Sequence, residues 1–255
     1  MKKIALITGA TSGFGEACAI KFAANNFDVI INGRRADRLL SLQEKIQETY
    51  SVNVHVLAFD VRNQEDVFAA INNLPTEWNN IDVLVNNAGL ALGRDFFEEG
   101  DLEDWNTMID TNVKGLLYVS KAVIPFMIEN KKGHIVNIGS VAGLEVYEKG
   151  NVYCASKFAV EAISKGMRID LLRHHIKVTA VHPGAAETEF SLVRLKGNEA
   201  EASKIYEGYK PLSAEDVADS VFYVCSLPEH VCINELVITP TQQANAYYFN
   251  KENKQ

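Results

Sequence analysis

The chain has little cysteine, no long apolar run and no excess of basic residues, and each lack excludes a class of protein. Only four of its 255 residues are cysteine, so it is not a small domain held together by disulfides. Its 33 acidic residues outnumber 25 basic ones, for a formal net charge of −8, which argues against nucleic acid or an anionic membrane as a partner. The apolar runs are too short to span a bilayer. We therefore expect a cytoplasmic protein.

The cysteines show no spacing that is typical of a metal site. Cys225 and Cys232 with His230 offer three ligands, but no fourth is near. Free cysteines are among the residues most often buried, so we expect Cys18, Cys154, Cys225 and Cys232 to be buried structural thiols. The sequence thus predicts no metal site.

Short runs of β-branched residues alternate with helical patterns along most of the chain. Strands that are apolar on both faces, such as Ile-Val-Asn-Ile at 135–138, are typical of a sheet covered on both sides. The alternation predicts a doubly wound, seven-stranded parallel sheet of the Rossmann type with helices on both faces. Strands are expected near 4–8, 28–32, 54–59, 83–85, 134–138, 177–181 and 235–238. Helices are expected near 14–25, 35–50, 64–73, 102–130, 152–174 and 214–227.

No linker or repeat divides residues 1–240, which we interpret as a single domain. Residues 241–255 follow the last predicted strand and hold Tyr247, Tyr248 and Phe249. Aromatic residues beyond the last core element often pack on a neighbouring subunit, and we expect this of the tail. A loose terminus is the alternative.

A glycine-rich segment joins the first predicted strand to the first helix. Its sequence is Thr8-Gly-Ala-Thr-Ser-Gly-Phe-Gly15. Glycines let backbone amides approach a pyrophosphate, whose charge the N-terminus of a helix stabilises. The alternative is a set of glycines that only shape a tight turn. In a strand–loop–helix context the segment predicts a dinucleotide site, to which we assign Gly9, Ala10, Thr11, Ser12, Gly13, Phe14 and Gly15.

The end of the second predicted strand indicates which dinucleotide binds. An Asp or Glu is usual there when the adenine ribose carries a free 2′-hydroxyl. Here the chain reads Asn32-Gly33-Arg34-Arg35, without a carboxylate. Two cations at a helix start are unfavourable for the helix dipole unless an anion binds there, and arginine suits a phosphate. The pattern therefore predicts NADP, with Arg34 and Arg35 at its 2′-phosphate. The alternative is an ordinary helix start that happens to be basic.

A compact set of proton-transfer groups follows in the second half of the chain. Tyr153 and Lys157 stand four residues apart, so they share one face of a helix. An ammonium there favours the phenolate and lowers the phenol pKa from about 10. Ser140, after the predicted strand 134–138, can hold a carbonyl oxygen beside that phenol. The pattern predicts a general acid/base, although Tyr-x-x-x-Lys alone is a weak signal.

These features belong to a longer series of motifs: Thr8-Gly-x-x-x-Gly-x-Gly15, Asp60-Val61, Asn86-Asn-Ala-Gly89, Asn112, Ser140, Tyr153-x-x-x-Lys157 and Pro183-Gly-x-x-x-Thr188. In order and spacing the series resembles the short-chain dehydrogenase/reductase family. The resemblance implies that the catalytic residues are Asn112, which would anchor a proton-relay water, Ser140, Tyr153 and Lys157, which would also bind the nicotinamide ribose. It further implies cofactor contacts for Asp60, Val61, Asn87, Ala88, Tyr153, Lys157, Pro183, Gly184, Ala186 and Thr188.

A closer resemblance is to the NADP-dependent 3-hydroxy acid dehydrogenases, also known as serine 3-dehydrogenases. It rests on Asn86-Asn-Ala-Gly-Leu-Ala-Leu-Gly93, Trp105-Asn-Thr-Met-Ile-Asp-Thr-Asn112, Thr188-Glu-Phe190 with Val193-Arg194, and Leu227-Pro-x-His-Val231. It implies oxidation of L-serine, L-allo-threonine or a similar 3-hydroxy acid, and a homotetramer.

Three carboxylates depart from that pattern: Glu145 and Glu148 near the expected substrate entrance, and Glu187 in the nicotinamide loop. Carboxylates repel a plain hydroxy acid unless a cation intervenes. One hypothesis pairs Glu145 with a substrate ammonium and Arg194 with its carboxylate. The alternative is that both are solvated charges at the rim. Two further functions stay open: a reductase of other ketones or aldehydes, and an NADP-sensing protein without catalysis.

Overall fold

Seven parallel β-strands form the centre of the structure, a computed structural model that describes residues 2–252. They are β1 (Ile4–Ile7), β2 (Asp28–Gly33), β3 (Val54–Ala58), β4 (Ile81–Asn86), β5 (Gly133–Ile138), β6 (Ile176–Pro183) and β7 (Glu235–Ile238). The order in the sheet is β3-β2-β1-β4-β5-β6-β7, and each neighbouring pair is parallel. The predicted seven-stranded, doubly wound sheet is confirmed, with strand bounds that differ by a few residues.

Helices follow most strands and cover both faces of the sheet. They are α1 (Gly13–Ala24), α2 (Ala36–Thr49), α3 (Gln64–Asn72), α4 (Leu102–Ile109), α5 (Leu116–Glu129), α6 (Asn151–Leu171), α7 (Glu189–Arg194), α8 (Glu199–Ile205) and α9 (Ala214–Ser226). The short α7 and α8 lie in a stretch for which the sequence predicted no helix. Both begin at capping residues, Thr188 and Asn198, whose side chains accept hydrogen bonds from the first turn.

Alternating side chains of the strands divide the core into two layers. Ala5 and Ile7 of β1 face one cluster, which includes Phe22 of α1. Ile4 and Leu6 face the other, which includes Val119 of α5. Each large aliphatic side chain buried in this way contributes about 1.5–3 kcal/mol to folding, so the two-sided burial holds the strands and the loops that follow them in place.

The helix predicted at 102–130 is present but contains a π-helical turn. Residues Asp110–Gly115 form this turn between α4 and α5, and the backbone at its two ends stays helical. The wider turn places Thr111 and Asn112 in buried positions, and a Cβ on Gly115 would lie 2.7 Å from Cγ2 of Val61. The sequence did not predict the turn, because apolar periodicity continues through the segment, whereas a π-helical turn depends on contacts with other elements.

Residues 241–252 of the tail pack on their own subunit. Gln243 is buried and its Oε1 accepts a hydrogen bond from the amide of Ala185 at 2.8 Å. The ring of Phe249 packs on Tyr209, with centroids 5.0 Å apart, whereas Tyr247 and Tyr248 are exposed. The predicted tail also includes residues 253–255, which lie outside the described residues.

All four cysteines are free thiols. Cys18 and Cys154 are buried as expected, but Cys225 and Cys232 are only partly buried, which corrects the prediction for those two. They flank the loop between α9 and β7 near the sheet edge, where less of the protein covers them. Among residues 2–252, none of the helices is long and apolar enough to cross a membrane.

Candidate active site

A cleft opens where the strand order reverses, between β1 and β4. Its volume is about 280 Å³. In doubly wound sheets, ligands bind in the crevice at the carboxyl ends of the strands on either side of this reversal. Of the predicted cofactor residues, the ones that line the cleft are Gly9, Thr11, Ser12, Gly13, Phe14, Arg34, Arg35, Asp60, Val61, Asn87, Ala88, Tyr153, Lys157 and Thr188.

The backbone conformation and close contacts of the glycine loop leave no room for side chains at several positions. Gly9 and Gly13 have φ values of +67° and +54°, which glycine adopts without strain. A Cβ on Gly15 would lie 2.2 Å from the carbonyl oxygen of Gly9. The loop leads directly into the N-terminus of α1, where free backbone amides attract a phosphate. Bare backbone at the start of a helix is the cradle that a pyrophosphate requires, so the residues present fit a dinucleotide.

Polar side chains from β1 and the end of β4 hold this loop in place. Nδ2 of Asn87 donates hydrogen bonds to the carbonyl oxygens of Thr8 (2.8 Å) and Gly9 (3.2 Å). The hydroxyl of Thr8 accepts from the amides of Asn87 and Ala88, both at 3.0 Å. Asn87 and Ala88 therefore also shape the phosphate loop, besides the ribose contact that the resemblance implies.

Positive side chains collect at the end of the cleft where the resemblance places the adenine, which we call the adenine end. Nη2 of Arg35 donates to Thr11 Oγ1 at 2.8 Å and to Ser12 Oγ at 3.0 Å, so this guanidinium is fixed beside the glycine loop. Nη1 of Arg34 lies 4.0 Å from Asp60, whose carboxylate also pairs with Arg62 at 2.7 Å. Burial alone would raise the pKa of Asp60, but the hydrogen bonds from Arg62 hold it below its ordinary value. Arg34 and the fixed guanidinium of Arg35 line this end of the cleft, and such donors suit a phosphate monoester.

Tyr153, Lys157 and Ser140 meet at the other end of the cleft. All three are buried, with exposures of 8%, 6% and 9%. Ser140 follows β5, and its Oγ accepts from the amide of Ala142 at 3.1 Å. Tyr153 and Lys157 share a face of α6, and Nζ of Lys157 donates to the carbonyl oxygen of Ile138 at 2.9 Å. Three residues from two segments thus converge on one position.

The titration behaviour of this group is governed by burial. Burial raises the pKa of the Tyr153 phenol above its ordinary value, and nearby Tyr147 raises it further. A hydrogen bond with Ser140 and the charge of Arg194 act in the opposite direction. Burial lowers the pKa of Lys157 to about 8. Its Nζ lies 6.0 Å from the centroid of the Tyr153 ring. The net direction for Tyr153 is upward, which favours the protonated phenol that a general acid needs.

Arg194 of α7 lies against Tyr153, the predicted general acid/base. The guanidinium carbon is 5.5 Å from the ring centroids of both Tyr153 and Tyr147. Nη1 donates to the hydroxyl of Tyr147 at 2.8 Å, and Nε donates to the carbonyl oxygen of Gly93 at 3.3 Å. The structure therefore brings a fixed cation to the Tyr153 ring. Sequence reasoning gave Arg194 only a substrate contact, because it did not connect Tyr147 with this group.

Asn112 ties two walls of the site together. Its Oδ1 accepts from the amide of Leu90, and its Nδ2 donates to the carbonyl oxygen of Leu90, both at 2.8 Å. The same Nδ2 donates to Ser156 Oγ on α6 at 3.0 Å. The side chain thus links the strand β4 loop to the helix that carries Tyr153. Its relay role stays a prediction.

Several predicted residues do not line the cleft. Ala10, Gly15, Asn112, Ser140, Pro183, Gly184, Ala186 and Arg194 stand behind or beside its walls. Glu145 is directed elsewhere, since its carboxylate accepts from the amide of Ala246 on the tail at 3.2 Å. Lining residues that sequence reasoning did not assign are Asn32, Gly33, Phe59, Gly89, Leu90, Thr111, Ile138, Gly139, Glu189, Phe190 and Val193. Most of them are sequence neighbours of a predicted motif. Extending each motif by one or two residues would therefore have found them.

Comparisons with known proteins agree with this geometry. The family described as short chain dehydrogenase matches residues 3–197. The chain is 46% identical over 244 residues to the NADP-dependent 3-hydroxy acid dehydrogenase YdfG of Escherichia coli (strain K12), covering 95% of this chain and 97% of the relative. It is 47% identical over 245 residues to sulfoacetaldehyde reductase 2 of Chromohalobacter salexigens, covering 96% of each.

A solved structure, the closed form of serine dehydrogenase complexed with NADP+, superposes with a TM-score of 0.92 at 44% identity and covers 98% of this chain and 100% of its own. The cleft, the convergence of Ser140, Tyr153 and Lys157, and these matches give one conclusion. The chain belongs to the short-chain dehydrogenase family.

Proposed function

We propose that the chain is an NADP-dependent oxidoreductase that transfers a hydride between the cofactor and the C3 hydroxyl or carbonyl of a small 3-hydroxy acid, such as L-serine or L-allo-threonine. The observation that carries this is that Tyr153, which lines one end of the cleft, meets Ser140 and Arg194 beside its wall, while Arg34 and Arg35 line the other end. Matches to a 3-hydroxy acid dehydrogenase and a serine dehydrogenase support the substrate class.

The cofactor supplies hydride chemistry when bound, and the protein supplies position and proton transfer. In oxidation, Tyr153 takes the proton of the substrate hydroxyl, and in reduction it gives a proton to the carbonyl oxygen. Ser140 hydrogen-bonds the same oxygen and holds it beside the phenol. Lys157 places its ammonium behind Tyr153, where it binds the ribose and favours the phenolate. The glycine loop, Asp60 and Val61, and Pro183 to Thr188 hold the dinucleotide, while Asn112 anchors the proton relay.

Arg194 is the group that we assign to the acid end of the substrate. A guanidinium has five N–H donors, and the bonds to Tyr147 and Gly93 leave others for a carboxylate. Since the cation lies 5.5 Å from the Tyr153 ring, a short hydroxy acid can reach both groups. Pairing of Glu145 with a substrate ammonium is the part of the proposal with less support, because the tail engages this carboxylate.

The test is NADP reduction at 340 nm with L-serine, L-allo-threonine and 3-hydroxypropionate, repeated with NAD. We expect turnover with NADP that Tyr153→Phe abolishes without weakening NADPH binding. Arg194→Ala is expected to raise KM for L-serine about tenfold or more, since it removes a charge-assisted bond. If Glu145 pairs with the substrate ammonium, Glu145→Gln should raise KM for L-serine but not for 3-hydroxypropionate, which has no ammonium. Tight NADPH binding without turnover of any carbonyl would instead support the sensing role.

A second substrate class has support of its own. The 47% identity to a sulfoacetaldehyde reductase, together with the fixed cation of Arg194, favours a small aldehyde that carries a sulfonate. A guanidinium binds a sulfonate and a carboxylate by the same contacts. Oxidation of isethionate with NADP in preference to L-serine would establish this reading, and the reverse ranking would reject it.

The homotetramer and the cytoplasmic location belong to the same proposal. Large apolar side chains are exposed near the end of α6, where Ile169 is 75% and Leu172 is 72% accessible, and Val237 of the edge strand β7 is half exposed. Such surfaces are typical of interfaces between subunits. Tyr247 and Tyr248 extend this exposed set into the tail. The free thiols fit a reducing compartment. Sedimentation of the purified protein tests the assembly.

A further inference from the structure

A carboxylate stands among the arginines at the adenine end of the cleft. Glu189, the first residue of α7, lines the same cleft as Arg34 and Arg35. Its Oε1 lies 2.7 Å from Nη1 of Arg38, and its Oε2 lies 3.2 Å from Nη1 of Arg35. Both arginines belong to the start of α2, on the other side of the opening. One carboxylate therefore bridges two cations across the mouth of the site.

The bridge occupies the donors that face the opening. Arg35 directs its Nε and Nη2 at Thr11 and Ser12, so Nη1, the group that contacts Glu189, is its remaining outward donor group. Hydrogen bonds from Arg38 and Arg35 hold the pKa of Glu189 below its ordinary value, so it is a carboxylate at neutral pH. Asp60, the other acid at this end, is matched by Arg62. Glu189 is thus the acid that offsets Arg35 and Arg38.

A 2′-phosphate needs the same donors. Phosphate monoesters carry close to two negative charges at neutral pH and bind guanidinium groups through paired N–H donors. Beside Glu189, such a group meets arginines that already have an anionic partner, and it also meets the charge of that partner. A cofactor without the phosphate meets neither obstacle.

We propose that Glu189 is a specificity-determining residue that competes with the cofactor's 2′-phosphate for Arg35 and Arg38. This inference rests on the proposed NADP dependence and deepens it. The arginines create the preference for a 2′-phosphate, and Glu189 limits its strength. The competition keeps the affinity for NADP(H) below what Arg35 and Arg38 would give without Glu189, which favours release of the used cofactor after each turnover.

The test is calorimetric binding of adenosine 2′,5′-bisphosphate and of 5′-AMP, which differ only in the 2′-phosphate, to the full-length protein. Glu189→Gln keeps the shape of the side chain and removes its charge. We expect this variant to bind the bisphosphate roughly five- to tenfold more tightly and 5′-AMP unchanged, as fits the loss of two solvent-screened ion pairs and one repulsion. The gain should shrink as salt is raised.

Glu199→Gln is the matched control. Glu199 is an exposed acid that begins α8 as Glu189 begins α7, and within residues 2–252 it neither pairs with these arginines nor lines the cleft, so the variant should bind both nucleotides like the wild type. The inference would be overturned if the Glu189→Gln variant bound the bisphosphate no more tightly than the wild type does. A wild type that does not distinguish the two nucleotides would refute the NADP assignment itself. In that case the proposed competition between Glu189 and the 2′-phosphate stands only if Glu189→Gln binds the bisphosphate more tightly than 5′-AMP.

Discussion

A buried ion pair directly behind Ser140 gives the sharpest prediction of stability. His182, fully buried at the end of β6, has its Nε2 2.9 Å from Oε2 of Glu161, which is 6% exposed. Its Nδ1 lies 3.2 Å from the carbonyl oxygen of Ser140. The buried imidazole thus lies between the carboxylate of Glu161 and the carbonyl oxygen of Ser140. The pair thereby links the backbone at Ser140 to the charge of Glu161.

His182→Leu removes the imidazole that faces Glu161 and puts an apolar side chain beside a buried carboxylate. The loss of one partner from a buried pair costs about 3–5 kcal/mol. For a chain of this length, that corresponds to a fall in Tm of roughly 10 °C. The matched control is Lys165→Ala, because Lys165 contacts the same Glu161 at 2.8 Å but is 54% exposed. An exposed partner contributes about 0–1 kcal/mol. We therefore expect a large difference between two variants that each remove one partner of the same carboxylate.

Urea denaturation at neutral pH measures both variants, and a pH series adds a second check. Burial alone would raise the pKa of Glu161, but Lys165 and His182 hold it below its ordinary value. A carboxylate of this kind stabilises the fold above its unfolded pKa, about 4.3, and loses that contribution as the pH falls. The gap between wild type and His182→Leu should therefore narrow in acid. Equal losses for His182→Leu and Lys165→Ala would refute the reasoning.

Three further predictions concern the cofactor and the proton. Gly15→Ala places a Cβ 2.2 Å from a backbone oxygen and should weaken NADPH binding about tenfold or more. In the control Gly166→Ala the new Cβ has no atom within 4 Å, so NADPH binding should stay unchanged and the fold should gain up to about 1 kcal/mol of stability. Gln243→Leu removes the acceptor for the Ala185 amide and should raise KM for NADP about threefold, as one lost hydrogen bond implies, with Gln242→Leu as control. Because burial raises the pKa of Tyr153 above its ordinary value of about 10, the phenol stays protonated from about pH 7 to 9, so carbonyl reduction should be nearly constant there, whereas hydroxy-acid oxidation, which needs the phenolate, should speed up. A flat profile for both directions would contradict the last prediction.

Local signals account for most of what could be predicted from the sequence. Apolar strands of the type Ile-Val-Asn-Ile and the alternation of strand with helix determine a doubly wound sheet, because each pattern reflects burial that repeats within a few residues. The phosphate loop is equally local, since its glycines adjoin the strand and the helix that position them. The π-helical turn at Asp110–Gly115 has no such signal, because it depends on Leu90, Ser156 and Val61 from distant segments.

Contacts between distant long side chains are the part that no spacing reveals. Arg35 and Glu189 are 154 residues apart, and Arg194 and Tyr147 are 47 apart. Each of these side chains has several rotatable bonds, so its partner is set by the fold and not by its neighbours in sequence. The short helix α7 brings both contacts into the site, with Glu189 at one end of the helix and Arg194 at the other. A segment for which the sequence predicted no helix thus supplies charge to both ends of the cleft.

The environment of Tyr153 shows why a motif predicts position better than electrostatics. The four-residue spacing correctly places Lys157 on the helix face of Tyr153, and from this the sequence predicts a lowered phenol pKa. Burial of both residues opposes that effect, since it raises the pKa of the phenol and lowers that of Lys157 to about 8. Desolvation is a property of the packed site, which the motif does not encode. The groups that act against it here are Ser140 and Arg194. A substrate carboxylate that binds Arg194 would partly neutralise that cation, so it should raise the phenol pKa further and favour protonation of a carbonyl by Tyr153.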